Sequence, residues 1–465
     1  MRNVPRVIVP MWGIDSDPRA RLRHMQLLTL PTFVLTCLLA MARPAWCYAF
    51  VVSFYCIEMT LQASVGIFLS NQFLANFVFA GVVGVAALRQ ALAAPAGAIG
   101  SYFNAGLGSI VLLLSWTIVT MLWSPAGEQG EKFIREGIPY MMIYLFAAPM
   151  LIDSIESMRR AYLALLVLGT VTALLILANP EFGLRGGRIA FRFGTVEVTN
   201  VLSIGRLGGT LMIVAAVFRI DGKGVLPMRV AAFVIGALLA FFSGSRGQVV
   251  AAALIAALFF PVARPLRSVR AFAALIAALV VGYLGVTIVA DYVLGVSDIN
   301  RWDAKYVTGA VLVRLANITD LVGGFLSTPY APFVGLGYNA FSAITGARED
   351  TYVHNIFIEV LCELGIPMFV LLVVLLYLTF VRGRRLFVDA SPDPALRATV
   401  ATLLALTAYD LLIAQKEGQV WNHFVLYMHI CLISRLYSLQ AAGIGVPAPA
   451  EAAAEPDGVL GHASR

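Results

Sequence analysis

Long apolar stretches alternate with short polar segments along almost the whole chain. A stretch of roughly 17 to 25 apolar residues can cross the hydrocarbon of a bilayer as a helix, which satisfies its own backbone hydrogen bonds where lipid offers no partner. The pattern therefore predicts an all-α protein that crosses a membrane many times. About thirteen such windows lie near residues 26–42, 45–68, 73–93, 102–123, 133–151, 160–178, 199–218, 226–242, 247–262, 271–290, 356–381, 396–413 and 420–438.

Composition supports a membrane protein. Apolar residues make up 60% of the chain and charged residues 13%, whereas about a quarter of the residues are charged in a typical soluble domain. The net charge of +7 could indicate nucleic-acid binding. The Lys and Arg residues, however, form short clusters between apolar windows, as cytoplasmic loops of membrane proteins do. We therefore expect contact with membrane lipids and no nucleic-acid partner. The clearest clusters lie at residues 159–160, 219–229, 264–270 and 382–385.

The basic loops also constrain the number of spans. Residues 1–24 carry five arginines and form a predicted cytoplasmic N-terminal arm. If this arm and the basic loops share one side, the region 26–93 must cross an even number of times, although it contains three windows. One of those windows would then not cross completely. We expect about 12 transmembrane helices in residues 25–440, both termini in the cytoplasm, and a disordered cytoplasmic tail at 441–465.

One hydrophilic segment, residues 291–355, is much longer than the other connections. In the expected topology it faces the extracytoplasmic side. Loops of this length without secondary structure are uncommon in compact domains and are usually functional or disordered. Its aromatic residues, among them Trp302, Tyr306 and Phe325, favour an ordered segment that contains short helices.

Two groups of basic residues fall on the side where positive charge is not expected. Arg185, Arg188 and Arg192 lie in a shorter outer loop that also contains glycines at 186, 187 and 194, which let a backbone approach a ligand closely. Guanidinium groups bind phosphate through paired hydrogen bonds. This pattern predicts a site for an anion with several oxygens, and the alternative is an anchor for lipid headgroups.

The second group is the short turn that contains Ser245 and Arg246, between two apolar windows. A charge at the membrane margin is costly and usually marks a functional site, although an arginine can also extend its charged end to the headgroups. Together with the outer-loop arginines, Arg246 would form an electropositive site near the outer leaflet. A lipid-linked phosphate or pyrophosphate fits such a site.

The end of the long loop carries His354, at the point where the chain enters the next apolar window. The unperturbed pKa of histidine permits proton transfer near neutral pH, so this residue is a candidate general base. The alternative is a buried structural histidine. Glu349 and Asp350 lie close in sequence, but a hard cation requires more convergent oxygen ligands than this spacing offers. We therefore expect no metal and no other cofactor.

Taken together, these motifs resemble the O-antigen ligase and polymerase superfamily, and within it the ligases. The resemblance covers most of residues 180–385, and it departs from the family at Met368, where members often have glycine. It rests on about a dozen spans, on Arg188 to Gly194 in the shorter outer loop, on Ser-Arg-Gly at 245–247, on Gly-Leu-Gly-Tyr-Asn-Ala-Phe at 335–341, on His354-Asn355 and on Glu-Val-Leu-Cys-Glu-Leu-Gly-Ile-Pro at 359–367.

The resemblance implies an inverting, metal-independent glycosyltransferase with a membrane-embedded fold of the GT-C type. It would transfer O-antigen polysaccharide from undecaprenyl pyrophosphate to lipid A-core oligosaccharide at the periplasmic face of a bacterial inner membrane. His354 would act as the base. The implied pyrophosphate-binding residues are Arg246, Arg188, Arg192 and Arg185, and the implied supporting residues are Ser245, Tyr338, Asn339 and Asn355.

Several other functions remain open. An O-antigen polymerase would use the same donor and base but a second lipid-linked glycan as acceptor. A protein O-oligosaccharyltransferase is a third member of the same superfamily. A transporter for organic anions belongs to a different class, but such proteins usually place their binding site near the midplane, between internal repeats. Here we find no internal repeat, and the unusual charges lie near one membrane face.

Overall fold

The protein is mostly helical. The computed structural model describes residues 18–95, 97–179, 181–185, 188–193, 196–197, 200–220, 222, 225–264, 304–346, 352–417 and 419–444. The predicted window at 271–290 lies outside these residues, as do most of the N-terminal arm and the tail from residue 445 onward.

Eighteen α-helices are present in the described residues, together with short 3-10 turns. Helix α6 continues through a π-helix, Met142–Ala147, into α7. The helices are α1 Pro18–Ala42, α2 Pro44–Ser64, α3 Gly66–Ser70, α4 Gln72–Ala93, α5 Ala105–Thr120, α6 Gly127–Met141, α7 Ala148–Met150, α8 Ile155–Ala178, α9 Val201–Val217, α10 Val225–Phe242, α11 Arg246–Ala263, α12 Ala304–Ser327, α13 Ala331–Val334, α14 Ala340–Thr345, α15 Ile356–Leu364, α16 Ile366–Asp389, α17 Pro394–Ala414 and α18 Phe424–Ala441.

Nine helices in the described part of the chain are long and apolar enough to cross a membrane, namely α1, α2, α4, α8, α10, α11, α16, α17 and α18. Two shorter apolar helices, α5 and α9, pack among them. This arrangement confirms the prediction of a multi-pass membrane protein. The expected count of 12 spans stays a prediction.

The long helices alternate between two ends of the bundle. At one end Ser64 Oγ accepts hydrogen bonds from Thr29 Oγ1 at 3.3 Å and from Asn179 Nδ2 at 2.9 Å, which joins the N-terminal half of α1 to the ends of α2 and α8. At the other end Arg89 Nη1, near the end of α4, donates to the carbonyl oxygen of Ala42 at 3.0 Å. Helices α1, α2 and α4 therefore all run between the same two ends.

This arrangement differs from the prediction that the region 26–93 crosses an even number of times. Only Arg43 separates α1 from α2, so these helices form a tight hairpin and no window remains partial. The described chain consequently begins at one end of the bundle, whereas α18 finishes at the other, where Ile444 lies beside Gly97. Residues 1–17 and 445–465 lie outside the described residues, so the prediction that both termini share one side stays a prediction.

The described residues of the four clusters that predicted cytoplasmic loops lie at one end, which we call the basic end. There Gln90 Nε2 bonds Asp153 Oδ2 at 2.9 Å, just before the cluster at 159–160, and Arg264 Nη2 bonds the carbonyl oxygen of Phe218 at 3.1 Å. Arg382, at the far end of α16, bonds Ser434 Oγ at 3.1 Å. We call the opposite end, which contains Ser64, the site end.

The shorter outer loop forms two small antiparallel β-ribbons at the site end. Strand β1, Gly183–Arg185, pairs with β2, Arg188–Ala190, and β3, Arg192–Phe193, pairs with β4, Val196–Glu197. Strand β2 packs against α9.

The described part of the long loop is helical and has its own small core. Helix α12 is 24 residues long, and the short helices α13 and α14 follow it. Two tryptophans at the end of α5 hold this segment, because Trp116 Nε1 donates to the carbonyl oxygen of Leu364 at 3.0 Å and Trp123 Nε1 to that of Gly335 at 3.1 Å. The small core contains Leu321, Phe325, Ala331, Leu336, Ala340, Phe341, Val353 and Cys362.

Candidate active site

His354 is held by a backbone carbonyl of a distant segment. Its Nδ1 lies 2.8 Å from the carbonyl oxygen of Lys416, in the connection between α17 and α18. A carbonyl oxygen only accepts, so Nδ1 must carry the hydrogen of this bond. In the neutral ring the lone pair is then on Nε2, the nitrogen that can take a proton. Backbone strain accompanies this placement, since His354 has φ +62°.

The surroundings of His354 keep its ring neutral. Burial lowers the pKa of the imidazole below its ordinary value, and the nearby charges of Arg314 and Lys416 lower it further. The hydrogen bond to the Lys416 backbone and the charge of Glu417 act in the opposite direction, but they do not reverse the shift. A neutral imidazole at pH 7 can act as a base.

The Ser-Arg-Gly turn lies at the same end of the bundle. Gly244 adopts φ +71°, which favours glycine, and lets the chain turn between α10 and α11. The Ser243 hydroxyl accepts a hydrogen bond from the Ser245 amide at 3.1 Å and so stabilises the turn. Arg246 begins α11 immediately afterwards, and Ser245 is buried.

Lys416 and Glu417 join this turn to His354. Lys416 Nζ lies 3.0 Å from Ser245 Oγ and 3.1 Å from Glu417 Oε1. Glu417 also accepts hydrogen bonds from Ser245 Oγ at 3.2 Å and from Gln248 Nε2 at 2.8 Å. The two motifs that the sequence predicted therefore meet through a pair of residues that it did not single out.

Arg314 is a further basic residue of the site. It lies on α12, half-buried, and close enough to interact electrostatically with both Arg246 and His354. Arg246, Arg314 and Lys416 therefore bring positive charge to the surroundings of His354. Such a group of cations is suited to an anionic ligand with several oxygens.

Arg188 belongs to the same end of the bundle. Its strand, β2, packs on α9, and the first turn of α9 is bonded to α11 because Gln248 Nε2 donates to the carbonyl oxygen of Leu202 at 2.8 Å. Arg188 is half-buried and lies opposite Arg185 in the ribbon. The side chains of Arg185 and Arg192 lie outside the described residues.

Comparison with known families agrees with this assembly. Residues 231–373 match the family model described as O-Antigen ligase. The chain carries a domain of the O-antigen ligase/polymerase superfamily. No curated protein matches the chain. The O-antigen ligase domain runs from α10 into α16 and so includes Arg246, Arg314 and His354, whereas Lys416 and Glu417 follow it. The family indicates an enzyme that transfers glycosyl groups and acts on polysaccharide and lipid substrates.

Tyr338 and Asn339 of this domain, two of the implied supporting residues, are buried. Tyr338 OH donates to Gln419 Oε1 at 3.1 Å, and Gln419 Nε2 donates to Asn339 Oδ1 at 3.0 Å. The backbone amide of Asn339 donates a hydrogen bond to Glu363 Oε2 at 2.8 Å. The two residues therefore attach the long loop to the bundle.

Asn355 also has a structural contact. Its Oδ1 accepts hydrogen bonds from the amides of Phe357 at 3.0 Å and Ile358 at 3.1 Å, so it caps the N-terminus of α15. This cap fixes the chain immediately after His354.

Metal binding receives no further support from the geometry. Within the described ranges, no group of three or more His, Cys, Asp or Glu side chains is close enough to hold a metal ion. Glu349 and Asp350 lie outside those ranges. The metal-free site stays a prediction.

Proposed function

We propose that this protein is an O-antigen ligase. It transfers O-antigen polysaccharide from undecaprenyl pyrophosphate to a sugar hydroxyl of lipid A-core, with inversion at the anomeric carbon and without a metal ion. The observation that carries the proposal is the 2.8 Å contact of His354 Nδ1 with the Lys416 carbonyl, because it leaves Nε2 as the basic nitrogen of the neutral ring.

The reaction is a single displacement. The oxygen of the acceptor hydroxyl forms a bond to the anomeric carbon while the bond from that carbon to the phosphate oxygen breaks. The undecaprenyl pyrophosphate leaves with the electron pair. His354 Nε2 takes the hydroxyl proton and later releases it to water. A positioned base of this kind contributes about 10²- to 10⁴-fold to the rate.

The cations of the site stabilise the leaving pyrophosphate. Its negative charge grows as the glycosidic bond breaks, and preorganised positive groups at such a position often supply the largest part of catalysis. Arg246 and Arg314 would take this role, which is supported by the electrostatic interaction of Arg314 with both Arg246 and His354. Arg188 and Arg192 of the shorter outer loop are the further candidates, and Arg185 lies opposite Arg188.

The membrane orientation follows from charge. The basic end carries the clusters that favour the cytoplasm, so the site end faces the periplasm of a cell inner membrane. A lipid-linked donor and a lipid-anchored acceptor would both reach His354 from the outer leaflet of that membrane. The GT-C type of fold is what the resemblance to the superfamily implies for this bundle.

The test is transfer by the purified protein, supplied with undecaprenyl-linked glycan and lipid A-core. We expect His354→Gln to lower kcat by about 10²- to 10⁴-fold, because glutamine can still donate to the Lys416 carbonyl but is not a base. His24→Gln, at an exposed position of α1, is the matched control and should keep full activity. Full transfer by the His354 variant would overturn the assignment of the base.

Two further arms of this assay separate the alternatives. If glycan joins only another undecaprenyl-linked chain and never lipid A-core, the protein is a polymerase and the ligase proposal fails. Transfer should also persist in a strong chelator. Loss of transfer that a divalent cation restores would refute the metal-free reaction.

A further inference from the structure

Glu417 bonds Ser245 of the Ser-Arg-Gly turn and follows Lys416, whose carbonyl oxygen holds His354, yet it belongs to none of the sequence motifs. Its side chain is only 4% exposed. Oε1 accepts from Ser245 Oγ at 3.2 Å and from Lys416 Nζ at 3.1 Å, and Oε2 accepts from Gln248 Nε2 at 2.8 Å. Both carboxylate oxygens of Glu417 therefore accept hydrogen bonds, either from residues at the start of α11 or from the neighbouring lysine.

The backbone places this carboxylate one residue away from the group that holds His354. The amides of Lys416 and Glu417 both donate to the carbonyl oxygen of Ile413, at 2.8 and 2.9 Å, so the two residues form one closed turn at the end of α17. The Lys416 carbonyl of that turn accepts the bond from His354 Nδ1. A shift of the Glu417 side chain relative to α11 would therefore change the position of His354 relative to Arg246.

We propose that Glu417 is a positioning residue that holds the base His354 in register with Arg246, the residue that faces the leaving pyrophosphate. This inference rests on the proposed function. It assigns a role that the family motifs do not contain, since Glu417 lies after the matched segment.

Glu417 cannot itself be the catalytic base. Its oxygens are buried and already accept three hydrogen bonds, so they do not reach an acceptor sugar. Its effect on the reaction must pass through other residues. A displacement of about 1 Å at a reacting group can reduce a rate by about 10²-fold, which is the size of effect that a positioning residue controls.

The principal variant is Glu417→Gln, which keeps the shape of the side chain but turns one acceptor into a donor that faces other donors. We expect kcat for glycan transfer to fall by about 10- to 100-fold, with a much smaller change in KM for the donor. The acid limb of the pH profile should also move to lower pH, because the negative charge of Glu417 favours the protonated form of His354.

A purely structural residue would behave differently. Its loss would reduce the amount of folded protein but leave the acid limb of the folded fraction unmoved. The folded fraction is measured by size-exclusion chromatography and thermal unfolding in the same detergent. Glu131→Gln, at an exposed position of α6, is the matched control and should change neither kcat nor the pH profile.

A swapped pair supplies the second variant. Glu417→Gln combined with Gln248→Glu restores an amide and a carboxylate between the same two positions, so it should recover much of the lost kcat. If the Glu417→Gln protein does not accumulate, the swapped pair is measured in its place and compared with Gln248→Glu alone. Gln248→Glu alone brings two carboxylates together and should be inactive, whereas the swapped pair should be active. An inactive but folded swapped pair would count against the inference.

The result that overturns the inference is a folded Glu417→Gln protein with unchanged kcat and an unmoved acid limb. His354→Gln is assayed in parallel to separate this failure from that of the proposed function. If His354→Gln is impaired and Glu417→Gln is not, only the positioning role fails. If both keep full activity, the assignment of His354 as the base fails as well, whereas the proposed function itself fails only if the wild-type protein does not transfer glycan to lipid A-core.

Discussion

Gly247 and Lys416 are in direct contact across the candidate active site: a Cβ atom at Gly247 would overlap the side chain of Lys416 at Cδ. The Lys416 side chain therefore packs directly against the backbone of α11 at Gly247, in the first turn of the helix. This close approach lets Lys416 Nζ reach Ser245 Oγ at 3.0 Å. Glycine lowers the stability of a helix relative to alanine. Its presence at 247 is explained by the Lys416 side chain, which occupies the space that a Cβ atom would need.

We predict that Gly247→Ala separates activity from stability. Alanine is about 1 kcal/mol more favourable than glycine within a helix, so the melting temperature should stay the same or rise. The methyl group would displace Lys416 from Ser245 and Glu417, and kcat for glycan transfer should fall. Thermal unfolding and the transfer assay measure both effects on the same preparation.

The control is Gly84→Ala in α4, where nothing lies within 4 Å of the added Cβ. It should leave kcat unchanged. Wild-type activity in a folded Gly247→Ala protein would show that the position of Lys416 does not matter for transfer.

Arg314 provides a test of the electrostatics around the base. Burial and two nearby cations lower the pKa of His354, so the acid limb of kcat/KM for the wild-type protein should lie below about pH 6.5, the usual pKa of histidine. Arg314→Gln removes a positive charge that disfavours the imidazolium form, so the pKa of His354 should rise. Because only the neutral ring is a base, the acid limb should move to higher pH.

The pH profile of Arg314→Gln is compared with that of Arg135→Gln, an exposed position of α6. The second variant should reproduce the wild-type acid limb. An acid limb that stays in place, or moves to lower pH, in Arg314→Gln would contradict the electrostatic contact between Arg314 and His354. The same variant should also lower kcat, because Arg314 is placed to face the leaving pyrophosphate.

Hydropathy predicted the helices well, because a long apolar stretch in lipid has few alternatives to a helix. It also led to Arg246 and His354, which are charged or titratable groups at the edges of such stretches. Loop charge could not predict the path of α1, because the hairpin at Arg43 determines how α1 and α2 pack and carries little signal in hydropathy.

The residues that join the site could not be found by local pattern. Lys416 bonds Ser245 across 171 positions of sequence, and it accepts a bond from His354 across 62. Only the packing of α11 against α17 brings them together. The contacts that hold Tyr338 and Asn339 were equally hidden, because the buried carboxylate of Glu363 that binds the backbone amides of Asn339 and Phe341 is not evident from the loop sequence.

Asp410 lies inside the bundle between two basic groups. Its Oδ2 is 2.8 Å from His429 Nδ1, its Oδ1 is 3.8 Å from Arg206 Nε, and His429 Nε2 is 3.2 Å from Tyr48 OH. These residues connect α17, α18, α9 and α2. Arg206, His429 and Tyr48 also line a cavity of about 30 Å³, which is room for about two water molecules.

We predict that Asp410→Asn lowers the free energy of unfolding by about 1–3 kcal/mol, because it leaves the charge of Arg206 without its carboxylate. This loss of unfolding free energy is smaller than the loss expected for a fully buried ion pair, because the Arg206 side chain is 27% exposed. Asp389→Asn, at an exposed position, should cost much less.

A double-mutant cycle with Arg206→Gln isolates the contact between the two charges. Once the arginine is neutral, Asp410→Asn no longer leaves an unbalanced charge in the bundle, so the double variant should be more stable than the sum of the single losses predicts. Thermal unfolding in detergent gives all four stabilities. Strictly additive losses would mean that Arg206 and Asp410 do not stabilise one another, and the 2.8 Å bond to His429 would then account for the whole effect of Asp410.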